Sequence, residues 1–296
     1  MNDAVTIVST GIAVAWMCGL LGVFIVLRRM SMLGDAISHA VLPGLVVAYL
    51  IGGERSSPFL FVGAAVFGVG VTLLIEWLHK KARMQQDASI GLSFTLFFSV
   101  GILLVSRYAG NVDIDADCVL HGDIGMIPFD TWQLGNKNMG ARHLWLIGGG
   151  AIITGCLLWI GRKALSITTF NPEFASALGI AVGFWHYALM GGVSMATVLA
   201  FEAVGAILVV AFLVIPPAAA WFWSKKLNHM LLLVALFGVI SSVLGYQLAK
   251  WLNNNISAMM STVGFVIFLF SWSLNPRTGW LWRLLRRPKL SPHRPF

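Results

Sequence analysis

The chain has 296 residues, 58% of them hydrophobic and only 11% charged, with a formal net charge of +8. Water-soluble domains carry about 25% charged residues, so this composition excludes a soluble globular fold and requires a polytopic membrane protein. The basic residues stand in short clusters between apolar runs, as cytoplasmic loops do, which argues against a nucleic-acid surface.

A helix that crosses the hydrocarbon needs roughly 20 apolar residues. Runs of spanning or near-spanning length occur at 5–27, 36–52, 59–78, 88–106, 143–160, 183–200, 203–222, 230–249 and 257–274. They predict an all-α bundle of eight or nine transmembrane helices, nine preferred, the block 183–222 being open to a different division. The first run lacks a basic n-region and continues to Leu27, so it reads as a span and not a cleaved signal. With the N-terminus outside, 15 of the 20 Lys and Arg fall inside, among them Arg28, Arg29, Lys80, Lys81, Arg162, Lys163, Lys225 and Lys226. The positive-inside rule thus predicts an outside N-terminus, an inside C-terminus and an odd number of spans. The chain divides into a transmembrane domain, 1–276, and a basic cytoplasmic tail, 277–296. Cys18, Cys118 and Cys156 form no CxxC pair, and neither a disulfide framework nor a thiolate metal cage is indicated.

The first stretch that carries chemistry is "MSMLGDAISHAVLPG", 30–44. Asp35 and His39 stand at i and i+4 and share a helix face. Ionisable groups in a span are costly and face a partner or a wet cavity. A carboxylate with an imidazole suits Mn²⁺, Fe²⁺ or Zn²⁺; the plainer reading is a helix cap plus a buried histidine. Pro43 has no N–H to give the carbonyl of His39, so the element reads as a broken helix carrying ligands. Counted from the ends of the run, the pair lies in the inner half of the membrane.

The external loop 107–142 holds Asp113, Asp115, Asp117, His121 and Asp123, which reads either as an acidic mouth that concentrates cations or as a plain solvated loop. The cytoplasmic loop 161–182 predicts a short helix with Asn171 as N-cap, Pro172 at N1 and Gly179 just past its end. Glu202 lies near the outer end of its span. Pro216 and Pro217 free the carbonyls of Phe212 and Leu213, which marks a kink or a gate. With Ser38 and Pro43, Glu202 and Pro216 complete the candidate pathway or gate residues. No G-x-x-x-x-G-K-[ST] phosphate loop occurs, so any nucleotide-driven work needs another chain.

Three of these stretches resemble the ABC-3 family, the membrane permeases of ABC importers for manganese, zinc or iron. "RRMSMLGDAISHAVLPG" (28–44) is similar to the family's G-D-x-x-S/A-H-A segment with its P-G. "DADCVLHGDI" (115–124) resembles its leucine–aromatic–glycine–acidic stretch, with His121 where an aromatic is usual. "VGAILVVAFLVIPPAAA" (204–220) resembles its V-G-A-L-L and I-P-A segment, Pro217 doubling the single proline. The resemblance implies a type II ABC importer-like permease in a bacterial inner membrane, with no enzymatic activity and no tightly bound cofactor. It implies as partners cytoplasmic ATPases, an extracytoplasmic metal-binding receptor and a second permease, either a copy or a similar chain. Asp35 and His39 match the family's channel residues. Asn171, Pro172, Glu173, Phe174, Ala175 and Gly179 fall on its ATPase-coupling helix. The rival readings are a secondary carrier, a permease for chelates such as cobalamin or siderophores, and a membrane scaffold or receptor that transports nothing.

Overall fold

Inside hydrocarbon every backbone N–H and C=O must find its partner within the segment, so long apolar runs become helices. A computed structural model describes residues 3–52, 58–108, 124–134 and 137–275. The elements are α1 (Asp3–Leu27), α2 (Leu33–Gly52), α3 (Pro58–Lys80) and α4 (Gln86–Tyr108), then a 3-10 turn (Ile124–Phe129). A hairpin of β1 (Thr131–Leu134) and β2 (Lys137–Ala141) follows. The chain continues as α5 (Arg142–Phe170), α6 (Pro172–Ala177), α7 (Val182–Trp223), α8 (Leu227–Leu252) and α9 (Ile256–Leu274).

Eight of these helices are long and apolar enough to cross a membrane, and α7 alone has 42 residues. It is not one straight pass. Near its start His186 meets Arg28, just past α1, while Glu202 stands beside His143 at the start of α5. Past Gly205, the side-chain amide of Asn275 donates to the carbonyl of Phe222, and Lys226 shares a cavity with Arg162 and Lys163. The end of α7 has therefore returned to the level of its beginning. Gly205 makes the reversal with φ 78° and ψ 167°, a conformation only glycine adopts readily. Counted with its two arms separate, α7 brings the eight long helices among the described residues to nine passes.

The core sits around α1, which packs against α5, α8 and both arms of α7, while α2 joins α3 and α4 in a second layer. Phe24 and Phe212 are its largest fully buried side chains. The carbonyls that Pro216 and Pro217 leave free, on Phe212 and Leu213, face Gly19 and Gly22 of α1. Both prolines are buried and the backbone around them stays helical. They stand where α1 and α7 pack closely.

Four expectations need correction. α2 begins at Leu33 and not near residue 36, so Asp35 is already in its first turn. It also continues without a break through Pro43. α5 continues to Phe170, which reduces the expected cytoplasmic loop 161–182 to a connector of 171–181. The connector between α4 and α5 contains a small antiparallel hairpin, pairing Gln133 with Asn138 and Leu134 with Lys137, that hydropathy does not signal.

Candidate metal pathway

The site grows from the first two turns of α2. A carboxylate in a first turn is favoured by the helix dipole, and Asp35 occupies that place. One turn on, His39 brings Nε2 to 3.5 Å from Asp35 Oδ1. That is long for a hydrogen bond. Two atoms each ~2.1 Å from one ion at a near-tetrahedral angle stand ~3.4 Å apart. The pair is not sealed: the side chains of His39 and Asp35 are 22% and 45% exposed, so a desolvated ion could reach both donors from one side. Phe94 and Phe98 of α4 hold the imidazole edge-on, with ring centroids at 4.9 and 5.0 Å.

These neighbours also fix the depth. Phe94 and Phe98 flank Phe97, the midpoint of α4. Gly68, beside the midpoint of α3, lies between Ile37 of α2 and Ser194 of α7. The Asp35/His39 turns are thus level with the middle of the surrounding helices, deeper than counting along the run suggests.

The other candidate residues take different places. Ser38 is buried and its hydroxyl donates to the carbonyl of Gly34 at 2.9 Å, turned back on its own helix. Pro43 packs against Gly101 of α4. Glu202 belongs to a cluster at the start of α5, with Oε1 3.9 Å from His143 Nε2 while Asp130 Oδ2 lies 2.8 Å from His143 Nδ1. Pro216 is buried in the α1–α7 contact. Asp113, Asp115, Asp117, His121 and Asp123 lie outside the described residues. Among the described residues no group of three His, Cys, Asp or Glu is placed to hold a metal; Asp35 and His39 stand as a pair.

The connector 171–181 folds with the caps its sequence predicts. Asn171 Oδ1 accepts from the N–H of Phe174 at 2.9 Å, and Pro172 opens α6. At the other end Gly179, at φ 77°, donates to the carbonyl of Ser176 and Ile180 to that of Ala175, which closes the helix with its last carbonyls satisfied. Ala175 is buried, whereas Glu173, Phe174 and Leu178 face outward.

A half-buried polar network between this corner and α2 escaped the sequence reading. Arg28, in the α1–α2 connector, donates to Thr169 Oγ1 at 3.1 Å, Thr168 Oγ1 at 3.3 Å and His186 Nδ1 at 2.9 Å. A guanidinium only donates, so His186 Nδ1 accepts, and its Nε2–H donates to Glu76 Oε2 at 2.8 Å. Lys80 pairs with the same carboxylate. Glu76 interrupts an apolar run, and a carboxylate there is itself a signal that a partner exists.

The pattern of the ABC 3 transport family matches residues 3–275. The chain belongs to that family. It is 40% identical over 294 residues to the manganese transport system membrane protein MntD of Bacillus subtilis (strain 168), covering 99% of each chain. It is 38% identical over 292 residues to the zinc transport system membrane protein TroD of Treponema pallidum (strain Nichols), covering 96% of this chain and 77% of that one. Among solved structures, PsaBC from Streptococcus pneumoniae in complex with Fab is similar with a TM-score of 0.77 and 30% identity over 96% of each chain. The expected family, the all-α membrane fold and the assignment as a transport subunit and not an enzyme are all borne out. The chain is a multi-pass permease subunit of an ABC importer in the bacterial cell membrane.

Proposed function

We propose that this permease moves a divalent first-row ion, Mn²⁺, Zn²⁺ or Fe²⁺, inward past Asp35 and His39. The observation that carries the reading is the pair itself: one oxygen and one nitrogen donor, 3.5 Å apart and open on one side, at mid-depth of the bundle. Two donors make a weak site, and transit needs a site weak enough to leave. The donor types suit several first-row ions, in keeping with relatives named for manganese and for zinc.

The partners in this reading are cytoplasmic ATPases, an extracytoplasmic receptor that delivers the ion, and a second permease chain. The ATPases grip Glu173 and Phe174 of α6. Their motion reaches α2 through the Thr168–Thr169–Arg28 hydrogen bonds, which join the α5–α6 corner to the connector that leads into Asp35. The acidic stretch from Asp113 to Asp123 concentrates cations at the outer mouth.

Uptake of labelled manganese and zinc by cells carrying Asp35→Ala or His39→Ala tests the assignment, with assembly of the complex checked by co-purification. Each substitution should lower uptake by at least the roughly 10–100-fold that loss of an outer-shell partner costs a metal site. Near-normal uptake in both variants would overturn the ligand assignment.

A further inference from the structure

At the cytoplasmic end a cavity of about 480 Å³ opens between α5 and the start of α8. Its polar lining is Arg162, Lys163 and Ser166 from α5, with Lys226, Asn228 and His229 from the start of α8. The volume falls within the roughly 300–1,000 Å³ of small-molecule sites. No carboxylate lines it, and among the described residues none of its four basic side chains is in an ion pair. Three permanent cations line one cavity whose walls hold no carboxylate, a lining that favours an anionic occupant.

We infer that this cavity holds the phosphate headgroup of an anionic phospholipid of the inner leaflet. Depth supports a lipid over a free anion. Starting at Arg142, about 30 Å of α5 brings the chain to Arg162 and Lys163, the level of the headgroups. Beside them Trp159 and Ile160 are more than three-quarters and three-quarters exposed, at 79% and 75%, and Trp223 is 55% exposed, an apolar wall on which acyl chains can lie. Basic pockets between transmembrane helices on the cytoplasmic side have this chemistry. The ATPase-facing α6 starts two turns further along the chain, beyond Phe170, so the cavity lies on its membrane side.

Native mass spectrometry of the permease–ATPase complex, taken from nanodiscs of mixed phosphatidylglycerol and phosphatidylcholine, tests the inference. The wild type should retain phosphatidylglycerol preferentially. Each charge removed by Arg162→Gln, Lys163→Gln or Lys226→Gln should weaken that retention on the order of fivefold. The charge-keeping set Arg162→Lys, Lys163→Arg and Lys226→Arg should preserve it, which separates lost charge from lost folding. Equal retention of the two lipids by the wild type, or unchanged retention in the triple Gln variant, would overturn the proposal. Displacement of the lipid by millimolar inorganic phosphate would reassign the cavity to free anions. Loss of the ATPase from the triple Gln variant with lipid retention intact would reassign it to a protein contact.

Discussion

A methyl group on Gly22 would fall far inside contact distance of the Leu213 carbonyl oxygen, a backbone atom that cannot rotate away. That single position shows how residues set this fold. Pro217 leaves the carbonyl without its helical donor, and Gly22 lets α1 come close enough to cover it. Gly22→Ala should therefore force the two helices apart and cost about 1–3 kcal/mol, as overpacking does. Gly192→Ala is the matched control, since its added carbon would meet only Leu21 Cδ2 at 3.7 Å, an ordinary contact. The thermal midpoint of the purified complex should drop clearly for the first and stay near wild type for the second. Equal midpoints would remove the close-packing account. The freed carbonyls were legible in the sequence; what faces them was not, because pairing between distant helices leaves no local pattern. The same holds at the site. Asp35 and His39 stand out as polar residues at i,i+4 in an apolar run, whereas Phe94 and Phe98 look like any lipid-facing aromatics.

Elements read best where the signal is local. Asn171, Pro172 and Gly179 specify both ends of α6, and the hydrogen bonds form as those residue types predict. The end of α5 was missed because Arg162 and Lys163 look like the start of a loop, while the helix runs two turns past the hydrocarbon. α6 then leaves Phe174 and Leu178 about half exposed, at 54% and 55%. A large aromatic on an otherwise polar corner is the kind of side chain on which interface energy concentrates. Phe174→Ala together with Glu173→Ala should cut ATPase recovery in co-purification about 30-fold, the equivalent of a 2 kcal/mol contact. The membrane fold should survive, because Ala175 and the Asn171 cap remain. Undiminished recovery would detach α6 from the docking role.

At the scale of the whole molecule, the reversal at Gly205 decides on which side of the membrane everything after it lies. A straight α7 would be one pass, placing Ser224 outside and the α8–α9 connector inside. Two arms give the opposite arrangement, with Ser224 inside beside Lys225 and Lys226, and Asn254 outside. Charge agrees with the two-arm form: only then does the tail, with Arg277, Arg283, Arg286, Arg287, Lys289 and Arg294, lie in the cytoplasm with the other basic clusters. Hydropathy could suggest the division of the 183–222 block but not prove it, since a glycine within an apolar run is equally compatible with a continuous helix. Labelling settles it. In a chain whose Cys18, Cys118 and Cys156 are replaced by serine or alanine, Ser224→Cys should react with a membrane-impermeant maleimide only in inverted vesicles. Asn254→Cys, exposed just past the end of α8, should react only in intact cells or right-side-out vesicles. The reverse pattern would make α7 a single pass, and would turn α8, α9 and the tail to the opposite faces of the membrane.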